Sequence, residues 1–227
     1  MAELRVFPIV GIGEVLAGDD IAHFIYDALA EPLHERDVVV VTQKIVSKAE
    51  GRLAPAAERD ALVASESVRV LRRRGQLVIS ETRHGFVCAN AGIDRSNVPG
   101  DQAALLPLDP DLSARRIRTR LMRLSGVDVG VIVSDTFGRA WRNGQTDVAI
   151  GVAGFDPFVD YRGTTDAFGN ELHATRICVA DELAGAAEIV MGKASGTCAA
   201  VVRGAGVATA AGAARAIVRL PADDLFR

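Results

Sequence analysis

The chain has 227 residues, 49% of them hydrophobic and 24% charged, an ordinary balance for a globular protein with its own core. Its 26 basic and 29 acidic residues leave a net charge of -3, which argues against bulk binding to nucleic acid. Three scattered cysteines, Cys88, Cys178 and Cys198, suit core packing in a reducing compartment better than a disulfide framework or a zinc site. No apolar run approaches the roughly 20 residues that span a bilayer. The opening Met-Ala-Glu-Leu-Arg-Val-Phe-Pro has no apolar signal core, so a cytoplasmic protein without membrane or nucleic-acid partners is expected.

In chain order, Leu4 to Val10 reads as a strand broken by Gly11 and Gly13. Asp19 and Asp20 then precede a helical stripe of Ile21, Phe24, Ile25, Leu29 and Leu33. Val38 to Val41 is continuously apolar and predicts a strand buried on both faces. Residues 57–74 carry a helical pattern through Leu62, Val63, Val68, Val70 and Leu71. Gln76 to Ser80 and Gly85 to Ala89 predict two strands around a polar turn. A turn-rich segment, Asn90 to Pro110, leads into a basic helix, Ser113 to Leu124, whose arginines read as a solvated face. Val129 to Val133 predicts a buried strand that stops at Ser134, and Val148 to Val152 another. Ala174 to Ala180 predicts a strand, Asp181 to Met191 an Ala-rich helix, and Ala199 to Val202 a last strand. Without a strict βαβ period, an α+β or mixed α/β fold is expected. The catalytic domain would cover residues 1–204, with a partly helical tail, residues 205–227, packed on it.

Four clusters, each at the end of a predicted strand, carry chemistry. Gly11-Ile-Gly-Glu14 is a weak glycine turn, neither a P-loop nor a dinucleotide fingerprint. Thr42-Gln-Lys-Ile-Val-Ser-Lys48 and onward to Arg52 offers cations and hydroxyls that suit phosphate oxygens, though an exposed basic loop has the same composition. Asn90-Ala-Gly-Ile-Asp-Arg-Ser-Asn97 offers oxygens to a hard cation, or builds an Asx-type turn. Ser134-Asp-Thr136 with Arg139 and Arg142 places oxygen ligands and anion clamps on a strand tip. Carboxylates, hydroxyls, lysines and glycines together are the inventory of a Mg²⁺ or Mn²⁺ nucleotide site. His84 and His173 read as structural or exposed, and Trp141 as loop cover.

These clusters, in order, resemble the coenzyme F420:L-glutamate ligases. The likeness rests on Val39 to Arg52, Asn90 to Asn97 and Ser134 to Arg142. Downstream it continues through Asp166 to Leu172, Val179 to Leu183, Val190 to Lys193 and Val201 to Gly204. It implies a mixed α/β ligase fold with mixed sheets and flanking helices, dimeric, in a form without a fused reductase domain. The implied activity is GTP-dependent addition of γ-linked L-glutamate to the deazaflavin F420-0 through an acyl phosphate. Mg²⁺ or Mn²⁺ would assist, with K⁺ as a further candidate cation. By motif match, Asp94, Asp135 and Thr136 would hold the metal. Ile12, Gly13, Glu14, Val15, Gln43, Lys44, Lys48, Asn97, Met191, Gly192 and Lys193 would meet the nucleotide. Lys44 and Lys48 would neutralise the transferring phosphoryl group, and Arg139 or Arg142 would grip phosphodiester or carboxylate groups of the substrates. Lys193 departs from the pattern: archaeal relatives carry an acidic residue after Met-Gly, so the metal count stays open. A metal-dependent phosphotransferase on another acceptor, or a GTP-binding sensor without catalysis, would use the same residues.

Overall fold

A computed structural model describes residues 3–225. Met1 and Ala2, at the start of the expected catalytic domain, and Phe226 and Arg227, at the end of the expected tail, lie outside the described residues. The fold is mixed α/β, built on one five-stranded sheet and three smaller ones. In chain order the elements are β1 (Arg5–Ile9), α1 (Ile21–Asp27), β2 (Val38–Thr42), α2 (Gln43–Ala49), β3 (Leu53–Pro55) and α3 (Arg59–Glu66). There follow β4 (Ser67–Arg74), β5 (Leu77–Thr82), β6 (Val87–Ala89), β7 (Gln102–Ala104), α4 (Pro110–Ser125) and β8 (Gly130–Arg139). The last are β9 (Arg142–Ala153), β10 (Val159–Asp160), β11 (Arg176–Ile177), α5 (Val179–Met191) and β12 (Ala199–Arg203).

The main sheet runs β1-β12-β2-β8-β9, with β2 and β8 parallel and every other neighbour antiparallel. β2 shows why four of its five residues are valine. Val39 and Val41 enter one core with Ile21 and Ile25 of α1 and Ile117 and Leu121 of α4. Val38 and Val40 point the other way, into a second core with Ala180, Leu183, Ala184 and Ala187 of α5. A strand alternates its side chains across the sheet, so helices on both faces demand apolar residues at both parities. The small alanines of α5 let that helix lie close against the strands.

Helix α4 has complete caps. The Asp109 side chain accepts from Leu112 N at 2.8 Å, and Gly126 closes the helix in the left-handed region at φ 77°. Its arginines are paired on the surface, Arg120 with Asp20 at 2.8 Å and Arg118 with Asp128. They therefore form the solvated face that the sequence suggests.

Four segments differ from expectation. Residues 57–74 are not one helix: α3 stops at Glu66 and the chain continues as β4, paired antiparallel with β5. Cross-strand contacts such as the Arg69–Glu81 ion pair at 3.1 Å outweigh the weak local helical period, because Val68 and Val70 have no core to face. β5 and β6 do form the expected hairpin, with Ile79 opposite Ala89. β8 does not end at Ser134 but runs to Arg139 as one arm of a long hairpin with β9. Strand character in Ala174 to Ala180 shrinks to Arg176–Ile177, and α5 begins at Val179 with Asp181 and Glu182 in its first turn. In the tail, the stretch from Ala213 to Leu220 makes only a short 3-10 turn, Ala214–Ala216.

A buried carboxylate anchors this part of the tail. Asp111, in the first turn of α4, accepts from Val152 N at 2.9 Å and from Ala214 N at 2.6 Å through Oδ1, and from Arg215 N at 3.2 Å through Oδ2. One side chain thus ties the tail to β9 and α4. Asp111→Ala would leave these buried donors without an acceptor and should cost about 3 kcal/mol. The readout is the urea midpoint; a loss below about 1 kcal/mol would mean the tail is anchored elsewhere.

Candidate active site

Parallel pairing sets Val41 beside Val133 and Thr42 beside Ser134, so the carboxyl end of β2 lies against β8 just before Asp135 and Thr136. Ligands of α/β sheets gather beyond such ends. Here a cavity of about 520 Å³ opens, and it takes its walls from several stretches of chain. Ile12, Gly13, Glu14 and Val15 come from the turn after β1, and Gln43, Lys44 and Lys48 from α2. Asn97 comes from the loop after β6, and Met191, Gly192 and Lys193 from the end of α5. Asp135 and Thr136 of β8 line it as well.

The lysines are buried stems with their ammonium groups paired. Lys44 and Lys48 are each only 8% exposed, one helical turn apart. Lys44 Nζ donates to Asp94 Oδ2 at 2.5 Å, and Lys48 Nζ to Glu14 Oε1 at 2.6 Å. Both carboxylate partners stay far more open than the lysines, so an incoming anion can compete for the ammonium groups. Gln43 lies buried beneath them. The Ser47 hydroxyl sits against two acceptors, Leu105 O at 2.6 Å and Gln43 Oε1 at 2.8 Å, and Gln43 Nε2 is left buried without a partner among the described residues. A buried donor of that kind suits a ligand acceptor.

Around the carboxylates the electrostatics are divided. Burial works against the charge of Asp94, but donation from Lys44 Nζ, Ser96 Oγ and Ser96 N outweighs it and holds the carboxyl down at about 2. Burial dominates at Asp135 and pushes it up to about 7, with Lys44 pulling the other way. Thr136 Oγ1 donates to Asp147 Oδ1 at 2.6 Å and accepts from Lys193 Nζ at 2.9 Å. Ser134 Oγ donates to the other Asp147 oxygen at 2.8 Å. Both hydroxyl protons are therefore committed to Asp147, and the Thr136 oxygen meets the Lys193 ammonium with a lone pair.

The loops around this cavity are tied to one another. Asn97 Nδ2 donates to Lys193 O at 3.3 Å, linking the loop after β6 to the loop after α5. Asn90, Ala91 and Gly92 follow one another with φ of 53°, 54° and 75°, and Leu106 packs 2.6 Å from where a Cβ at Gly92 would stand. Two non-glycine residues in that region hold conformational strain of about 1–3 kcal/mol each, a feature that gathers at sites.

All eleven residues expected to meet a nucleotide line this one cavity. Asp94, Asp135 and Thr136 converge on a second, smaller space of about 360 Å³ that shares Asp135, Thr136 and Lys193 with the first. Arg139 and Arg142 are elsewhere. They face each other at the exposed end of the β8–β9 hairpin, where Arg139 Nη2 donates to Asn143 O at 3.1 Å, and neither lines these cavities. Sequence reasoning gave no role to Asp147, whose place opposite Thr136 depends on the strand register and on a bulge at Val133/Ser134.

No cluster of three or more His, Cys, Asp or Glu side chains converges as a metal cage among the described residues. The oxygens of Asp94, Asp135 and Thr136 nonetheless fit a hard divalent cation of the Mg²⁺ type. Such an ion usually rests on one or two carboxylates and completes its shell with water and phosphate oxygens. Half-buried Asp135, whose carboxyl is pushed up by loss of solvation, is the carboxylate that a cation would relieve.

Fold and cavity together describe a mixed α/β protein with a small-molecule cleft whose acids and bases sit within hydrogen-bond reach of each other. The chain belongs to the F420-0:gamma-glutamyl ligase family, whose model matches residues 10–204. It is 43% identical to the coenzyme F420:L-glutamate ligase of Methanothermobacter thermautotrophicus, over 88% of this chain and 89% of that one. The protein of the same name from Methanopyrus kandleri is 41% identical over 99% and 98% of the two chains. That from Methanocaldococcus jannaschii is 36% identical over 86% of each.

Asp135 makes stability depend on pH. Its carboxyl ordinarily loses its proton near 3.8 and in the folded protein near 7, so between these values the folded state holds the proton more tightly. Stability of the metal-free protein should therefore fall as pH rises through 7. Asp135→Asn should raise Tm by several degrees at pH 8 and leave it nearly unchanged at pH 4. Equal effects at both pH values in a thermal melt would refute the buried-charge assignment.

Proposed function

We propose that this protein is a GTP- and divalent-metal-dependent ligase that adds γ-linked L-glutamate to the deazaflavin coenzyme F420-0. The observation that carries the reading is the cavity itself. Two buried lysines and a desolvated carboxylate meet there at the ends of parallel strands, in a chain of the F420-0:gamma-glutamyl ligase family. The relatives' name supplies the substrates, and the anion-binding chemistry of the walls supports the nucleotide.

The reaction must overcome one chemical obstacle. A carboxylate does not accept an amine in water, because oxide or hydroxide would have to leave. Phosphorylating the carboxylate first provides a leaving group. Lys44 and Lys48 would swing from Asp94 and Glu14 to phosphate oxygens, and hold the charge that spreads over the γ-phosphoryl group as it transfers. Lys193, against Thr136, would add a third ammonium beside them. Gln43 Nε2 would donate to the ring carbonyl oxygen of guanine, where adenine carries an amino group instead. Asp94, Asp135 and Thr136 would hold Mg²⁺ or Mn²⁺, whose contribution is charge neutralisation at the phosphate oxygens. The Asn97–Lys193 tie narrows the cavity and would help to keep water from the acyl phosphate. In this reading the enzyme works in the cytoplasm as a homodimer; no helix among the described residues is long and apolar enough to cross a membrane.

The deciding experiment incubates the purified protein with F420-0, L-glutamate, GTP and Mn²⁺ or Mg²⁺ and reads product mass by liquid chromatography–mass spectrometry. A gain of one or more glutamyl units, lost when GTP or metal is withheld, is expected. GTP binding with no mass gain would sink the ligase reading and favour a sensor or a phosphotransferase on another acceptor. Lys48→Met should lower kcat/KM for GTP by about 100-fold in steady-state assays and leave the melting temperature within a few degrees.

A further inference from the structure

The smaller cavity, about 360 Å³, lies across a shared wall from the nucleotide space. Asp135, Thr136 and Lys193 line both. Away from that wall its lining includes Asn90, Asp94, Ser96, Gly138 and Gln145. Its volume is at the low end of small-molecule pockets, roughly 300–1,000 Å³, which suits an amino acid or a short acyl tail better than a nucleotide.

Three details make this space a second substrate site. First, Gly138 and Gln145 are cross-strand neighbours on the β8–β9 hairpin, and a Cβ at Gly138 would meet nothing within 4 Å. The missing side chain leaves room beside the Gln145 carboxamide. Second, that carboxamide makes no protein hydrogen bond among the described residues, so its donor and acceptor are both available to a ligand that carries ammonium and carboxylate groups. Third, Lys193 is the one ammonium among the described residues that lines both spaces. Two anionic reactants meeting at one wall need a cation between them, and Lys193 Nζ already rests there on Thr136 Oγ1.

We propose that the 360 Å³ cavity is the acyl-side subsite, which seats the reacting carboxylate of the acceptor and the incoming L-glutamate, with Lys193 bridging it to the nucleotide. The proposal rests on the ligase reading and locates its second half. From this side the acceptor carboxylate oxygen attacks the γ-phosphorus. An O–P bond forms, the bond from that phosphorus to the bridging oxygen breaks, and GDP leaves with the electron pair. The glutamate ammonium gives one proton to solvent and its nitrogen attacks the acyl carbon. The C–N bond forms, the C–O bond to phosphate breaks, and the departing phosphate takes the electron pair and the remaining surplus proton. Gln145 orients the amino acid, and the wall keeps the two reactants on opposite sides of the transferring group.

The test fills the cavity without touching the nucleotide side. Gly138 is not in the left-handed region, so Gly138→Leu fits the backbone and places its side chain in the open space. Gln145→Ala removes the orienting group alone. Calorimetry with a non-hydrolysable GTP analogue, and then with F420-0 and with L-glutamate on the nucleotide-loaded protein, separates the two sides. Both variants should melt as the wild type does and bind the analogue within about twofold. Gly138→Leu should lose binding of F420-0 and L-glutamate, and Gln145→Ala should weaken L-glutamate by about tenfold, the effect of 1.4 kcal/mol. Wild-type affinity for both substrates in Gly138→Leu would overturn the assignment. Failure of the ligase reading shows separately, as a wild-type protein that gives no glutamylated product.

Discussion

The parallel pairing of β2 with β8 is the constraint on which the site depends. Every other pairing in the main sheet is antiparallel, and an antiparallel neighbour would send its carboxyl end to the far side of the molecule. Because Thr42, the last residue of β2, pairs with Ser134, α2 starts beside the point where β8 carries Asp135 and Thr136. Lys44 and Asp135, 91 positions apart in the chain, become electrostatic neighbours for that reason alone. The two cores above and below hold the pair in place, since Val38 to Val41 and Val131 to Val133 are fully buried.

Charge is the second constraint, and it is left partly unresolved in the protein itself. Lys44 and Lys48 satisfy Asp94 and Glu14, while at Asp135 the loss of solvation outweighs the pull of Lys44 and Lys193, and Asp147 is committed to two hydroxyls. An arrangement whose acids and bases are paired but half open can trade those partners for a ligand at little cost. Strain at Asn90 and Ala91 fits the same picture, because a loop packed to serve stability alone would not need left-handed non-glycine residues.

Much of this was legible in the chain. Continuous apolar runs marked β2, the start of β8 and β12, and charged or hydroxyl residues following β1, β2 and β6 marked the loops that line the cavity. Residues 67–74 were misread because a helical period over Val68, Val70 and Leu71 is weak beside the backbone pairing offered by β5. The end of β8 was misread because polar residues on a hairpin arm look the same as polar residues in a loop. The tail's anchor could not be read locally, because Asp111 lies 103 positions from Ala214.

By itself, then, the sequence determined the family, the mixed α/β class and the identity of the groups that line the cleft. Each of these depends on local patterns: apolar runs, turn residues and clustered chemistry within a few positions. Tertiary structure alone decided that Asp147 orients Thr136 and Ser134, that Lys193 stands in the wall between two cavities, and that Arg139 and Arg142 lie outside both. These facts follow from strand register, where a shift of one residue turns every side chain to the opposite face. Register is set by contacts distant in sequence, and no local window contains them.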